Sequence, residues 1–142
     1  MAHLQVLRRL AAAAAIGMGA ALPAHAVPGP HAVTDVSQAL VRAYNAQDPA
    51  ALHALLAPAL QARYGLEALE RALLLCRVLT SEIFRISTPV WGARHFGYFA
   101  VYAETKPFEM ILEIDDDARI IHWVITDDVQ AKAQQCQLSY RE

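Results

Sequence analysis

One change of texture divides this chain and limits what it can fold into. From Val33 to Leu79 apolar residues recur at spacings of three and four, as on helices with a buried stripe; after Ser81 come runs of β-branched and aromatic residues separated by Gly, Pro and Asp clusters, as in strands. Helices grouped ahead of strands do not make alternating β-α-β units. They predict an α+β domain in which the helices cover the apolar face of an antiparallel sheet. With 142 residues there is room for one such domain and one core.

Three helices are expected. Val33, Val36, Leu40, Ala43 and Tyr44 share a face, predicting a first helix over Val33–Ala46. Asp48-Pro49 restarts the chain: the Asp48 carboxylate can cap free N–H groups, and Pro49 falls where a missing N–H costs nothing. Leu52, Leu55 and Leu56 give the second helix its stripe, which Pro58 interrupts. Gly65 introduces a third helix, Leu66 to about Leu79, with Leu66, Leu69, Leu73 and Cys76 on one side. Its second apolar set, Leu74, Leu75 and Val78, predicts burial on more than one side.

Four strands follow, Ile83–Val90, Arg94–Thr105, Phe108–Asp115 and Ile120–Thr126, in a sheet of about four to five strands. Hydrophobic matching sets the last hairpin. With Asp115 facing Ile120, the residues Phe108, Met110, Leu112 and Ile114 join Ile121, Trp123 and Ile125 on an apolar face, and Glu113 stands opposite His122 on the other. The middle strand is apolar on both sides, Phe96, Tyr98, Ala100 and Tyr102 against Phe99, Val101 and Ala103. Something must cover each, and a second subunit over the outer face is the simplest cover.

The beginning of the chain reads as an address. Arg8 and Arg9 precede an uncharged run from Leu10 to Leu22, and Ala24-His25-Ala26 follows, the three-part layout of a secretory signal peptide cleaved after Ala26. The apolar run has 13 residues. A membrane-spanning helix needs about 20. The expected mature domain is therefore 27–142, with its core over 33–128, a tail over 129–142 and no membrane span, in the periplasm or outside the cell. It carries 14 acidic and 10 basic residues, a net charge of −4, which argues against a nucleic-acid partner. Cys76 and Cys136 travel to a compartment where disulfides persist, and a bridge between them is the economical reading. The alternative leaves Cys76 a buried free thiol and Cys136 a loose tail residue. A redox or zinc role lacks the necessary spacing.

Two segments carry a family likeness. Ala39-Leu40-Val41-Arg42-Ala43-Tyr44-Asn45-Ala46-Gln47-Asp48-Pro49-Ala50-Ala51-Leu52 resembles the opening of NTF2-like and SnoaL-like domains, and Ile114-Asp115-Asp116-Asp117-Ala118-Arg119-Ile120-Ile121-His122-Trp123 is similar to their closing hairpin, although the family usually has Gly where this chain has Ala118. The resemblance implies a cone, its bent sheet wrapping helix one and enclosing a pocket, often as a homodimer through the outer sheet face. The family holds isomerases, dehydratases, hydrolases and cyclases beside members without catalysis, so the fold does not choose the function. A weaker resemblance, to stand-alone versions of the small domain in front of exported serine hydrolases, implies an accessory subunit of a cell-envelope hydrolase.

The candidate chemistry is correspondingly sparse. Acid–base work needs a carboxylate or His in apolar surroundings, and His122 with Glu113 is the one candidate pair, with Tyr44 as hydrogen-bond donor. An ordinary cross-strand pair explains Glu113 and His122 as well. Tyr44, Trp91, Tyr98, Tyr102 and Trp123 are the candidate lining of a ligand pocket, against plain core packing or a dimer surface. Arg63, Arg85 and Arg94 lack a phosphate loop, Asp115-Asp116-Asp117 lacks calcium-loop spacing, and His31 and His53 lack a nucleophile motif. No cofactor or metal is implied. The expectation is a binding protein for a small apolar or amphipathic ligand or an envelope protein; an isomerase, dehydratase or hydrolase using His122 or Glu113 is the alternative.

Overall fold

The Asp48 side chain starts the second helix as its position promises, its Oδ1 accepting from the N–H groups of Ala50 and Ala51 at 3.0 and 2.9 Å. The structure is a computed structural model and describes residues 27–139. The expected leader and the cleavage after Ala26 lie outside the described residues. Among the described residues four helices precede the strands: α1 Ala32–Ala46, α2 Pro49–Leu55, α3 Pro58–Arg63 and α4 Leu66–Thr80. The expected count of three is corrected at Pro58. That residue ends one helix and, with its preset φ and no N–H to satisfy, begins the next. Between the two, Leu56 bridges Ile120 and the Ala57 N–H donates to the Ile120 carbonyl at 2.9 Å, tying the helical layer to the sheet.

Six strands form one antiparallel sheet: β1 Ile83–Ile86, β2 Trp91–Ala93, β3 Phe96–Ala103, β4 Pro107–Ile114, β5 Ile120–Thr126 and β6 Cys136–Ser139. Their order is β1-β3-β4-β5-β6, with β2 also paired to β3. Two expectations change here. The first expected strand, Ile83–Val90, stops at Ile86, because Pro89 has no N–H for the ladder, although Ser87 and Val90 still donate to β3 carbonyls at 2.9 and 2.7 Å, and β2 forms in the expected link that follows it. The expected tail contributes β6, whose Cys136 and Leu138 are buried.

The β4–β5 register is the expected one from Glu109↔Thr126 to Glu113↔His122, then slips at Ile114, which pairs with Ile120 rather than Ile121. The turn explains the slip. Asp115 Oδ1 accepts from the N–H groups of Asp117 and Arg119, the Asp115 N–H bonds the Arg119 carbonyl at 2.8 Å, and Ala118 takes the left-handed conformation, φ 56°. This is a three-residue hairpin loop with a bulge, at a cost of about 1 kcal/mol for a non-Gly residue at positive φ. The bulge buries Ile120 and leaves Ile121 half-buried.

Helices and inner sheet face meet in one core. Leu40, Tyr44, Leu52, Leu60, Leu69 and Leu73 pack against Phe99, Met110, Leu112, Ile114, Trp123 and Leu138. The start of α1 comes so close that a Cβ on Gly97 would lie 2.5 Å from Val33 Cγ1 and from the Phe99 ring. Only glycine permits that approach. On the far side of the core a disulfide joins Cys76 of α4 to Cys136 of β6, with Cα atoms 4.9 Å apart, which decides between the two readings of the cysteines. The expected double burial of α4 is corrected. Leu74, Leu75 and Val78 are 56%, 64% and 84% exposed, because α4 turns only Leu69, Leu73, Cys76 and Thr80 inward and nothing among the described residues covers its outer side.

Candidate functional site

The five aromatic residues picked out by the sequence fall on the two sides of the sheet. Tyr44 and Trp123 are wholly buried between α1 and the sheet, their rings in an edge contact at 6.2 Å. The Tyr44 hydroxyl meets the Thr80 hydroxyl at 2.5 Å, and burial pushes its phenol above the usual range. These side chains, with Phe99, Met110 and Leu112, fill the space where the resemblance implies a pocket.

Strand parity sends the others outward. Phe99 and Val101 face the core, so Phe96, Tyr98, Ala100 and Tyr102 of β3 line the opposite side, next to Glu109, Ile111 and Glu113 of β4 and then His122 and Val124 of β5. Trp91 joins this outer face from β2, directly across from Tyr98, is 70% exposed, and packs against Phe96 with ring centroids 4.9 Å apart. Glu113 stands opposite His122 as expected. Tyr44, their proposed partner in an enzyme, is on the other side of the sheet, so the three groups do not converge on one substrate position. Of the three arginines, Arg85 lies over the Tyr102 ring at 4.1 Å, Arg63 is 5.9 Å from the Tyr64 ring, and Arg94 reaches toward the Pro28 carbonyl at 3.5 Å. They form no cluster.

Two residues of this face were not among the expected site residues. Glu109 stands one pleat from Tyr98 on the neighbouring strand, and Phe96 packs against Trp91. The signal for Glu109 is its register opposite Ala100, one pleat from Tyr98, and it appears only once β3 and β4 are aligned. The Glu109 carboxylate beside it pushes the Tyr98 pKa up to about 12, with some desolvation in the same sense. The stabilisation is complete below the ordinary tyrosine pKa of about 10 and is lost as pH rises through the folded value. At pH 11 the Tyr98 ring should therefore remain mostly protonated by NMR, and Glu109→Gln should leave it mostly ionised. An unchanged titration in Glu109→Gln would show that the carboxylate is not the cause.

Shallow clefts lie elsewhere. One of about 530 Å³ sits at the start of α1 between His31, Thr34, Thr88 and Arg94, and another of about 340 Å³ lies between α1 and α2, lined by Ala39, Ala43, Ala46 and Ala51 with Arg42 and Asp48 at its rim. Neither is lined by any of the aromatic residues expected to hold a ligand. Among the described residues there is no group of three or more His, Cys, Asp or Glu side chains that could hold a metal ion, and no helix long and apolar enough to cross a membrane. The chain matches no family model, no curated protein and no solved structure.

Proposed function

We propose that this is an exported domain of NTF2-like, cone type that binds rather than catalyses, and that its ligand sits on the outer face of the sheet. One observation carries the reading: the inner face is filled by its own side chains, whereas the outer face presents Trp91, Tyr98 and Tyr102 beside Glu109 and Arg85. Aromatic bodies with polar tips and a few placed charges suit an amphipathic ligand. The packing of α1 across β1, β3 and β4 supports the cone, and the Cys76–Cys136 bond supports export to an oxidising compartment.

NMR of the oxidised protein titrated with octyl glucoside, below its micelle concentration, tests the site. The amphiphile is expected to shift the Trp91, Tyr98 and Tyr102 signals while leaving the Trp123 indole N–H in place. Shifts centred on Trp123 and Tyr44, or none at all, would overturn the reading. Export has its own check, since the protein recovered from the periplasm should begin at Val27.

A further inference from the structure

The edge of the outer face where β2 meets β3 has features that select one ligand class within that reading, on which this inference rests. Trp91 and Phe96 meet with their ring planes 59° apart, so that they form an open corner rather than a stack, and Tyr98 stands directly across from Trp91 on the same face. Half-buried Ile111 stands across from Tyr98 on its other side and adds aliphatic surface. Large aromatic surface left open in this way contributes little to the core, and tryptophan is the ring that attracts cations most strongly.

The same strand already shows this attraction within the molecule. Four residues along β3 from Tyr98, the Tyr102 ring carries the Arg85 guanidinium at 4.1 Å. Among the described residues no cation is recorded over Trp91, Phe96 or Tyr98. Arg94, close by in sequence, reaches toward the Pro28 carbonyl at 3.5 Å. The charge next to Tyr98 is negative. Glu109 is half-buried on β4, opposite Ala100 and one pleat from Tyr98 on the same face, and Glu113 stands directly across from Phe96. A carboxylate in partly apolar surroundings repels an anionic ligand and attracts a cation, and the attraction is less screened there than in open water.

Rings set at an angle, flanking aliphatic surface and the carboxylates of Glu109 and Glu113 favour a cation that is large, weakly hydrated and clad in alkyl groups. A small ammonium ion would forfeit more hydration than such a shallow site returns. We propose that the Trp91–Phe96–Tyr98 corner, with Glu109, binds an alkylated ammonium group of the choline type.

The test compares choline with its neutral isostere 3,3-dimethylbutan-1-ol, which has the same shape without the charge. Trp91 fluorescence is the reading, and buried Trp123 provides a background that should stay constant. Choline is expected to bind at millimolar concentration and at least tenfold more tightly than the alcohol. Trp91→Leu should abolish the response in the Tyr98 NMR signal, Trp91→Phe should restore part of it, and Glu109→Gln should weaken choline several-fold while leaving the alcohol unchanged. Equal binding of choline and the alcohol would overturn the cation inference and leave the outer-face reading standing. The same holds if neither binds while octyl glucoside still shifts the outer-face signals. Failure of octyl glucoside to shift those signals counts against the outer-face reading itself.

Discussion

Replacing Cys76 and Cys136 together by Ser, or reducing the bond between them, is expected to remove about 4 kcal/mol of stability on the chain-entropy account of a crosslink spanning 60 residues. Domains of this size hold only about 5–15 kcal/mol in all, so this is a large fraction. The effect has a structural side as well. β6 is a four-residue edge strand reached through an irregular stretch, and without the crosslink it relies on pairing with β5, on burying Leu138 beside Trp123 and on the Tyr64 hydroxyl, which donates to the Ser139 carbonyl at 3.2 Å. A strand that short closes a long loop for few contacts. Urea unfolding of the oxidised protein, the reduced protein and the double Ser variant measures the cost. With a slope of about 1–2 kcal/mol per molar, the midpoint should fall by roughly 2–4 M. Reduced and double-Ser proteins should agree. A fall of less than about 0.5 M in both would show that β6 is held by its non-covalent contacts alone, and that the bond contributes nothing to the folded state beyond them.

The order of layers was legible because period decides it. Val33, Leu40 and Tyr44 cannot share a face except on a helix, and moving the β4–β5 register by one residue would expose Met110 and Leu112 while burying Glu109 and Glu113. What escaped was set by long-range or purely local causes that period does not carry. β6 lies in a polar stretch with Gln134, Gln135 and Gln137, and a covalent bond to a residue far back in the chain, rather than strand propensity, places it. The slip at Ile114 depends on Ala118 at positive φ, where Gly or Asn would have announced the turn. The exposed Leu74, Leu75 and Val78 look like core residues, since a sequence records how apolar a position is and not whether another element lies beyond it. The site shows the same division. That Tyr98 and Tyr102 share a face follows from parity alone. That the face is the outer one follows only when Phe99 and Val101 are seen inside.

Trp123→Ala should cost about 3–5 kcal/mol, because the indole lies wholly buried between Leu112 and Leu138 and its neighbours cannot all move in to replace it. Trp123→Phe should cost less than half as much. Phenylalanine keeps most of the apolar surface and also removes the indole Nε1–H, which is buried without a hydrogen-bond partner. Leaving a donor unsatisfied in the core costs about 1–3 kcal/mol, and that cost disappears with the nitrogen. If Phe proves as damaging as Ala, the indole N–H has a partner that stabilises it, and a bound water is then the first candidate to look for. The pair of variants also tests where ligands go. Trp123→Ala should open a dry apolar hollow beneath Tyr44, able to take benzene, whereas the unaltered protein should show no binding of benzene there by NMR of the core methyl groups. Benzene binding next to Trp123 in the unaltered protein would mean that the interior opens readily, and the inner face would then become the first place to seek the natural ligand. Binding confined to Trp123→Ala places the interior among the parts that hold the sheet in shape, as the proposed outer-face site requires.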